Sequence, residues 1–432
     1  MRKGVIALAI SQLFCLSASA AQTDAERIAE LEKKLEKSLG LIEQLSARVK
    51  QLEAGKPATA DQGRVEEKVA AQAERIGQLE KNVEQVAETS AKRASVGLPL
   101  HGFADVGYAR ESRDPNGRKG GFALGNLDLY LTPEFGDRVK SLAELVFEMG
   151  EDGSLGTDLE RLQIGYTVSD ALTVWGGRFH TPYGYWNTAF HHGAQIQTSI
   201  MRPRFIAFED QGGILPAHTV GLLASGGVRL GGGKLQYDAY LGNGNDIRDR
   251  ELDFNAVMDD NTNKMVGGNV RYQFAGALEG LTLGLHGLNE QVDTYGAGNV
   301  RLNSTKLKML GGFGLFEQDD WEAIGEYYRF RNDDISGATG THGSWAGFAQ
   351  VGRTFAGRWT PYVRTEKAVL DQGDNYFAGL DSGRSYKRHA LGLRYDLNAL
   401  AALKIELSRT TEQQPASELT SNGARLQFAV RF

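Results

Sequence analysis

From Arg178 to His218 the chain reads RFHTPYGYWNTAFHHGAQIQTSIMRPRFIAFEDQGGILPAH. The stretch is too irregular for a helix and too long for a turn. Strand-like patterns stand on both sides, at 171–179 and 219–230. An irregular insert of this length in a compact fold is usually functional or disordered. Its aromatic content argues against disorder, because disordered segments are poor in aromatic residues. The sequence therefore predicts an ordered loop that folds back onto the body of the molecule.

That body has the composition of a sheet with a wet interior. Glycine is frequent, with 54 residues in 432, proline is scarce at 9, and no Gly-X-Y period occurs, which excludes collagen. Mean hydropathy is −0.36. Beyond the start of the chain no run of about 18 apolar residues is present, so no mature transmembrane helix is expected. Barrel strands are only half apolar, and a water-filled barrel has this kind of profile. The first segment, MRKGVIALAISQLFCLSASA, combines Arg2 and Lys3, an apolar run and a small-residue end at Ala18-Ser19-Ala20. It reads as a secretory signal over 1–20 with an A-x-A-like cleavage site. Cys15 is the single cysteine and lies inside that signal. The mature chain is thus expected to hold no disulfide, no attached haem and no cysteine-ligated metal.

Residues 21–96 follow a seven-residue frame. Ile28, Leu35, Ile42 and Val49 share one core position, and Leu31, Leu45 and Leu52 the other, with Ser38 a gap. A second run sets Val69, Ile76 and Val83 against Val65, Leu79 and Val86. Charged residues fill the flanks, the pattern of a coiled coil. Gly55-Lys56-Pro57 interrupts the runs, because proline removes a donor and clashes inside a helix. Two parallel strands between chains and a hairpin folded at 55–63 both satisfy the heptads.

After Ser95 the period changes from seven to two, and sixteen candidate strands can be laid out across 97–432. The last, Ala424–Phe432, alternates Leu426, Phe428, Val430 and Phe432 with Arg425, Gln427 and Arg431. Short links at 169–170, 231–233, 276–280, 318–319, 356–357 and 398–400 alternate with longer polar ones at 111–120, 243–262, 291–303, 332–340 and 369–384. Turns short on one side and loops long on the other are the layout of a transmembrane barrel. An even strand count lets the last strand pair with the first and removes both edges. The expected architecture is an all-β transmembrane antiparallel β-barrel of about 16 strands, preceded by an α-helical coiled coil, with residues 181–217 folded into the lumen.

These features together resemble a Gram-negative outer-membrane porin: the signal, the alternating strands, the terminal Phe432, and a longest loop between the fifth and sixth strands. In trimeric porins the third external loop enters the lumen and sets the constriction. The coil ahead of a barrel, with GGRFHTPYG at Gly176–Gly184, is similar to the phosphate- and polyphosphate-selective porin family, and some sugar-specific porins carry such a coil. The resemblance implies an outer-membrane channel for small hydrophilic solutes or ions, a homotrimer, and a coil in the periplasm. Outer-membrane lipid and lipopolysaccharide would surround it, and peptidoglycan or a periplasmic protein would meet the coil. The alternative is a structural envelope protein whose coil tethers a plugged barrel.

In a water-filled barrel the polar face of each strand lines the lumen. Assigning the apolar alternates to lipid gives Arg161, Arg178, Arg271, Lys306, Lys308, Arg364, Arg388, Arg394, Lys404, Arg425 and Arg431 as lining cations. Asp128, Glu144, Glu148, Glu322, Glu326, Glu366 and Glu406 are the lining anions. The loop region adds His180, Arg202, Arg204, Glu209 and Asp210. Loop acids facing wall arginines would set a transverse field, and fixed charge in a narrow lumen concentrates the opposite ion. The expected constriction therefore comprises Arg161, Arg178, His180, Arg202, Arg204, Glu209, Asp210, Arg271, Arg364, Arg388 and Arg394. From Leu98 onward 33 Lys and Arg stand against 40 Asp and Glu, so the charges are mixed and no phosphate-specific run of cations stands out.

Other chemistry is weakly signalled. His180, His191 and His192 with Glu209 and Asp210 offer imidazole and carboxylate, but His191 and His192 are adjacent and lack ligand spacing, so packing is the preferred reading. Asp246, Asp249, Glu251 and Asp253 read as a solvated loop tip rather than a cation site. Tyr183, Tyr185, Trp186 and Phe190 read as packing that pins the loop, ahead of a sugar path. Tyr108, Tyr130, Trp345 and Trp359 suit girdles at the lipid interface. No phosphate-binding loop, nucleophile elbow or dinucleotide fingerprint is present. No enzyme activity, cofactor, metal or nucleic-acid partner is expected.

Overall fold

The period of two becomes one antiparallel sheet closed on itself. The computed structural model describes residues 100–113, 120–149, 154–190, 193–253 and 261–432. The expected signal and coiled coil, and His191 and His192, lie outside the described residues.

Five wall strands precede the long loop: β1 (Leu100–Glu111), β2 (Gly121–Leu131), β3 (Val139–Met149), β4 (Leu155–Ser169) and β5 (Leu172–His180). β6 (His218–Leu230), β7 (Gly233–Gly242), β8 (Met265–Gln273), β9 (Leu281–Gly296) and β10 (Val300–Gln318) follow it. β11 (Trp321–Asp334), β12 (Thr341–Arg353), β13 (Trp359–Val369), β14 (Tyr386–Asn398), β15 (Ala401–Gln413) and β16 (Glu418–Arg431) complete the wall. Each strand pairs with its sequence neighbour, and β16 pairs with β1 from Phe103 opposite Arg431 to Glu111 opposite Gly423. The sixteen strands thus leave no open edge. Three short segments, Glu134–Phe135, Asp246–Arg248 and Glu251–Leu252, decorate this cylinder. Among the described residues no helix is long and apolar enough to cross a membrane.

β13 states the rule of the wall most clearly. Thr360, Tyr362, Arg364, Glu366 and Ala368 are buried, while Trp359, Pro361, Val363, Thr365, Lys367 and Val369 are exposed. Neighbouring strands put Leu391, Leu403, Ile405, Leu407, Leu426 and Phe428 on the exposed face, which gives a sheet that is apolar outside and polar within. Alternation of this kind is what a barrel in lipid requires.

Three expectations change here. On β10 the inward set is Leu307, Met309, Phe313 and Leu315, all buried, so Lys306 and Lys308 share the outer face with Leu310 rather than lining the lumen. The inner wall is apolar there because it packs against protein instead of water. Residues 291–303, expected as a long polar loop, are mostly the ends of β9 and β10, joined through 297–299. Tyr130 shares the inner face of Asp128 and stacks 6.0 Å from Phe103, so it is not a girdle residue.

Candidate pore constriction

The loop begins where β5 and β6 part. Thr181 and Thr219 hydroxyls share a hydrogen bond of 2.7 Å across the neck. Asn187 Nδ2 donates to the carbonyls of Thr181 and Ala217 at 3.0 and 3.1 Å. Glu209 Oε1 accepts from the backbone N–H groups of Ala217 and His218 at 2.7 and 3.1 Å. Burial alone would push the Glu209 carboxyl up, but the attraction of His218 and these hydrogen bonds outweigh it and hold it below its ordinary value.

From this neck the chain reaches the inner faces of distant strands. Tyr185 and Trp186 donate their backbone N–H groups to Glu326 Oε1 on β11, at 3.0 and 2.7 Å. Ile200 and Met201 donate to Glu406 Oε2 on β15 at 3.1 and 3.3 Å. Arg204 N–H donates to Glu366 Oε2 on β13 at 2.7 Å, and Phe205 N–H to the Tyr386 hydroxyl on β14 at 3.0 Å. Cations meet the loop carbonyls in return. Arg364 donates to Met201 O at 2.6 Å, Arg394 to Gln195 O at 2.6 Å, and Lys404 to Gln197 O at 2.7 Å. A loop has backbone groups that no ladder satisfies, and buried ones need partners. Here the wall supplies them as charges, which make the stronger hydrogen bonds.

Aromatic packing fills the space between these anchors. Trp186 meets Phe348 edge-on at 5.5 Å, and Phe205 meets Tyr328 at 5.1 Å. Burial raises the Tyr183 hydroxyl well above its usual range. Arg202 is enclosed within the loop: it donates to Ile206 O at 3.0 Å and Asn187 Oδ1 at 2.9 Å, and lies 4.0 Å from the Phe208 ring centre. Burial lowers its guanidinium to about 10. A second segment, 370–385, joins from the connection between β13 and β14, with Tyr376 donating its hydroxyl to Ile214 O at 2.8 Å.

The GGRFHTPYG stretch has a physical reading in this setting. Gly184 sits at φ +58, and a Cβ there would lie 2.1 Å from Glu326 Oε2. Gly177 sits at φ +130, with Leu162 O 2.0 Å from where a Cβ would be. Both positions demand glycine for the backbone and for the space.

The other side of the bore, from β16 round to β5, has a different character. Its inner residues are more often half-buried than buried. Gln427 donates to Asp105 at 3.0 Å, Arg425 pairs with Glu111, and Arg161 pairs with Glu144. His180 Nε2 lies 3.5 Å from Glu144, and His218 Nε2 lies 2.5 Å from Glu160. Acids and bases thus alternate along this face.

The expected constriction residues separate into two groups. Arg161, His180 and Arg271 stand on the inner wall outside the loop anchors, with Arg271 pairing with Asp238 at 2.9 Å, whereas Arg178 is the cross-strand partner of the exposed Leu162 and donates to Glu160 O at 3.0 Å. Arg202, Arg364, Arg388 and Arg394 are buried or half-buried where the loop meets the wall. Arg364 also lies 2.9 Å from Glu366, and Arg388 lies 3.6 Å from Glu406. Arg204 pairs with Glu412 and covers the Tyr386 ring. Glu209 closes the neck, and Asp210 follows it in the short turn Glu209–Gln211. Sequence reasoning gave no anchoring role to Glu326, Glu366 or Glu406, and did not single out Asn187 or Tyr386. Carboxylates at alternate positions of strands that face an aromatic loop were the available signal. Among the described residues no three metal-ligating side chains converge.

No protein-family model matches the chain, and comparison with curated proteins gives no match. Solved structures share its fold. An anion-selective porin from Comamonas acidovorans is 15% identical with a TM-score of 0.53, covering 78% of this chain and 99% of that one. The trimer form of OmpT from Vibrio cholerae is 9% identical with a TM-score of 0.51, covering 78% and 99%. The outer membrane channel DcaP of Acinetobacter baumannii is 12% identical with a TM-score of 0.50, covering 78% and 97%. At these identities the common property is the sixteen-strand barrel.

Proposed function

We propose that the chain is an outer-membrane porin that lets small hydrophilic solutes and ions diffuse passively through a bore narrowed by the 181–217 loop. The observation that carries this reading is the loop's attachment to Glu326, Glu366 and Glu406 on the far wall. A loop fixed there narrows the lumen and leaves the β16–β5 side as the route for water. Pore diameter and the charge along the route would then set selectivity.

The ion preference we assign is weak. Arg364, Arg394 and Lys404 spend their donors on loop carbonyls, and the remaining wall mixes Arg161 and Arg425 with Glu144 and Glu111. A stronger anion preference has the anion-selective Comamonas acidovorans neighbour in its favour, and a phosphate preference has no such support. We also infer a homotrimer, for which the OmpT trimer form is the precedent, and a periplasmic coiled coil over 21–96 that acts as a spacer toward the cell wall or a periplasmic protein.

Liposome swelling tests the channel reading. Vesicles holding the full chain should swell in small sugars at rates that fall steeply with solute size. Vesicles that stay osmotically tight to the smallest sugars would favour the opposing reading, a plugged barrel that only anchors the coil.

A further inference from the structure

The outer wall near the long-loop end carries charge that the lumen does not use. On β11, Arg329 and Arg331 are exposed, with Tyr328, Phe330 and Asn332 buried between and beside them. On β13 and β14, Lys367 and Lys387 are exposed and are direct cross-strand partners. Arg409 of β15 lies opposite His389 of β14, and both face outward. Like charges set opposite one another in a sheet repel. Yet no described side chain makes an ion pair or hydrogen bond with Arg329, Arg331, Lys387 or Arg409. The corresponding end of β8 and β9 presents Val266, Asn289 and Gln291 instead. The cationic belt therefore does not extend to β8 and β9.

Two further features share this side. Lys367 Nζ lies 5.2 Å from the Trp345 ring centre, and Trp345 stacks on Tyr327 at 5.9 Å. Amphipathic rings of this kind sit where hydrocarbon meets headgroups. Below them is an outer-surface groove of roughly 640 Å³, floored by Gly314, Ala323, Gly325 and Ala349 and reaching Thr365 and His389. Lys367 and Lys387 stand two residues beyond the last two, so the groove ends under the cations. A chain of methylenes fits the small-residue floor, and phosphate fits the lysines and arginines above it.

We propose that this face holds the phosphorylated headgroup of an outer-leaflet lipid, its acyl chains lying in the groove beneath. The proposal rests on the barrel crossing the outer membrane with its long loops outside. Phosphate would relieve the repulsion between Lys367 and Lys387, with Arg329 on β11 and Arg409 on β15 flanking that pair.

Native mass spectrometry of the detergent-extracted full chain, mixed with a lipid A that carries two phosphates, tests it. The wild-type protein should retain the lipid through activation. Lys367→Gln/Lys387→Gln/Arg409→Gln should retain roughly a hundredfold less, while Lys367→Arg/Lys387→Arg should behave as wild type. Arg229→Gln, an exposed cation at the short-turn end, should also be neutral. Wild-type protein should retain the phosphate-free form of the same lipid about tenfold less, an arm that does not depend on any variant folding. Equal retention by the triple variant or of the phosphate-free lipid overturns the proposal. Displacement by millimolar inorganic phosphate overturns it too, because the face would then serve a free anion. The triple variant should keep wild-type channel conductance, so loss of lipid with an intact current is distinct from failure of the porin reading itself.

Discussion

Glu326 accepts hydrogen bonds from Tyr185 N–H, Trp186 N–H and the Tyr328 hydroxyl. All of these groups lie away from bulk water, so removing the carboxylate orphans two backbone donors at once. A hydrogen bond to a charged group contributes about 1.5–3 kcal/mol. Glu326→Ala should therefore free the first turn of the loop, seen as increased open-channel noise; an unchanged noise spectrum would remove Glu326 as an anchor. Gly184→Ala should do the same from the other partner, since its Cβ would occupy the space of the Glu326 carboxylate. Glu209 makes the neck sensitive to acid. Its carboxyl is held below the ordinary value when folded, so its contribution is complete above about pH 4.5 and is lost as pH falls through the depressed value. Open-channel noise should stay level down to pH 5 and rise only in stronger acid; a rise near neutrality would assign the neck to another group.

At the scale of elements, the strands were legible and the phase of one of them was not. β13 and β15 alternate apolar and polar side chains, so a period of two with lipid on the apolar side reads them correctly. β10 carries apolar residues on both faces near Leu307–Leu310, and choosing lipid for one set and water for the other put Lys306 and Lys308 on the wrong side. The missing fact was that the inner face of β9–β11 meets the loop instead of water. The loop's partners were hidden for the same reason: long-range contacts such as Trp186 with Glu326 leave no trace in local spacing. Arg364 makes this an energetic question. It lies buried 2.9 Å from Glu366 and donates to Met201 O, and removing one partner of a buried pair typically costs about 3–5 kcal/mol. Arg364→Ala should make the loop a target of limited proteolysis within 193–206 while the β-sheet circular dichroism of the barrel stays as in wild type. A loop as resistant as wild type would show that Arg364 contributes little there.

For the whole molecule, closure and strand number followed from features common to all-antiparallel transmembrane barrels: an even count, two classes of link and half-apolar strands. Selectivity did not, because it depends on which charged groups the loop consumes. Arg161→Glu should shift the reversal potential in a salt gradient toward cations by an amount that fades with added salt; no shift would place Arg161 away from the ion path. Deleting 22–95 should leave conductance unchanged if the coil is a spacer, and its loss would make the coil part of channel assembly. The most direct test of the loop as a wall-pinned constriction is single-channel conductance in planar bilayers, comparing wild type with Glu326→Gln/Glu406→Gln. A steady current through the wild type that grows larger and noisier in the double variant is the expected result. No wild-type current, or the same conductance in both proteins, would contradict it.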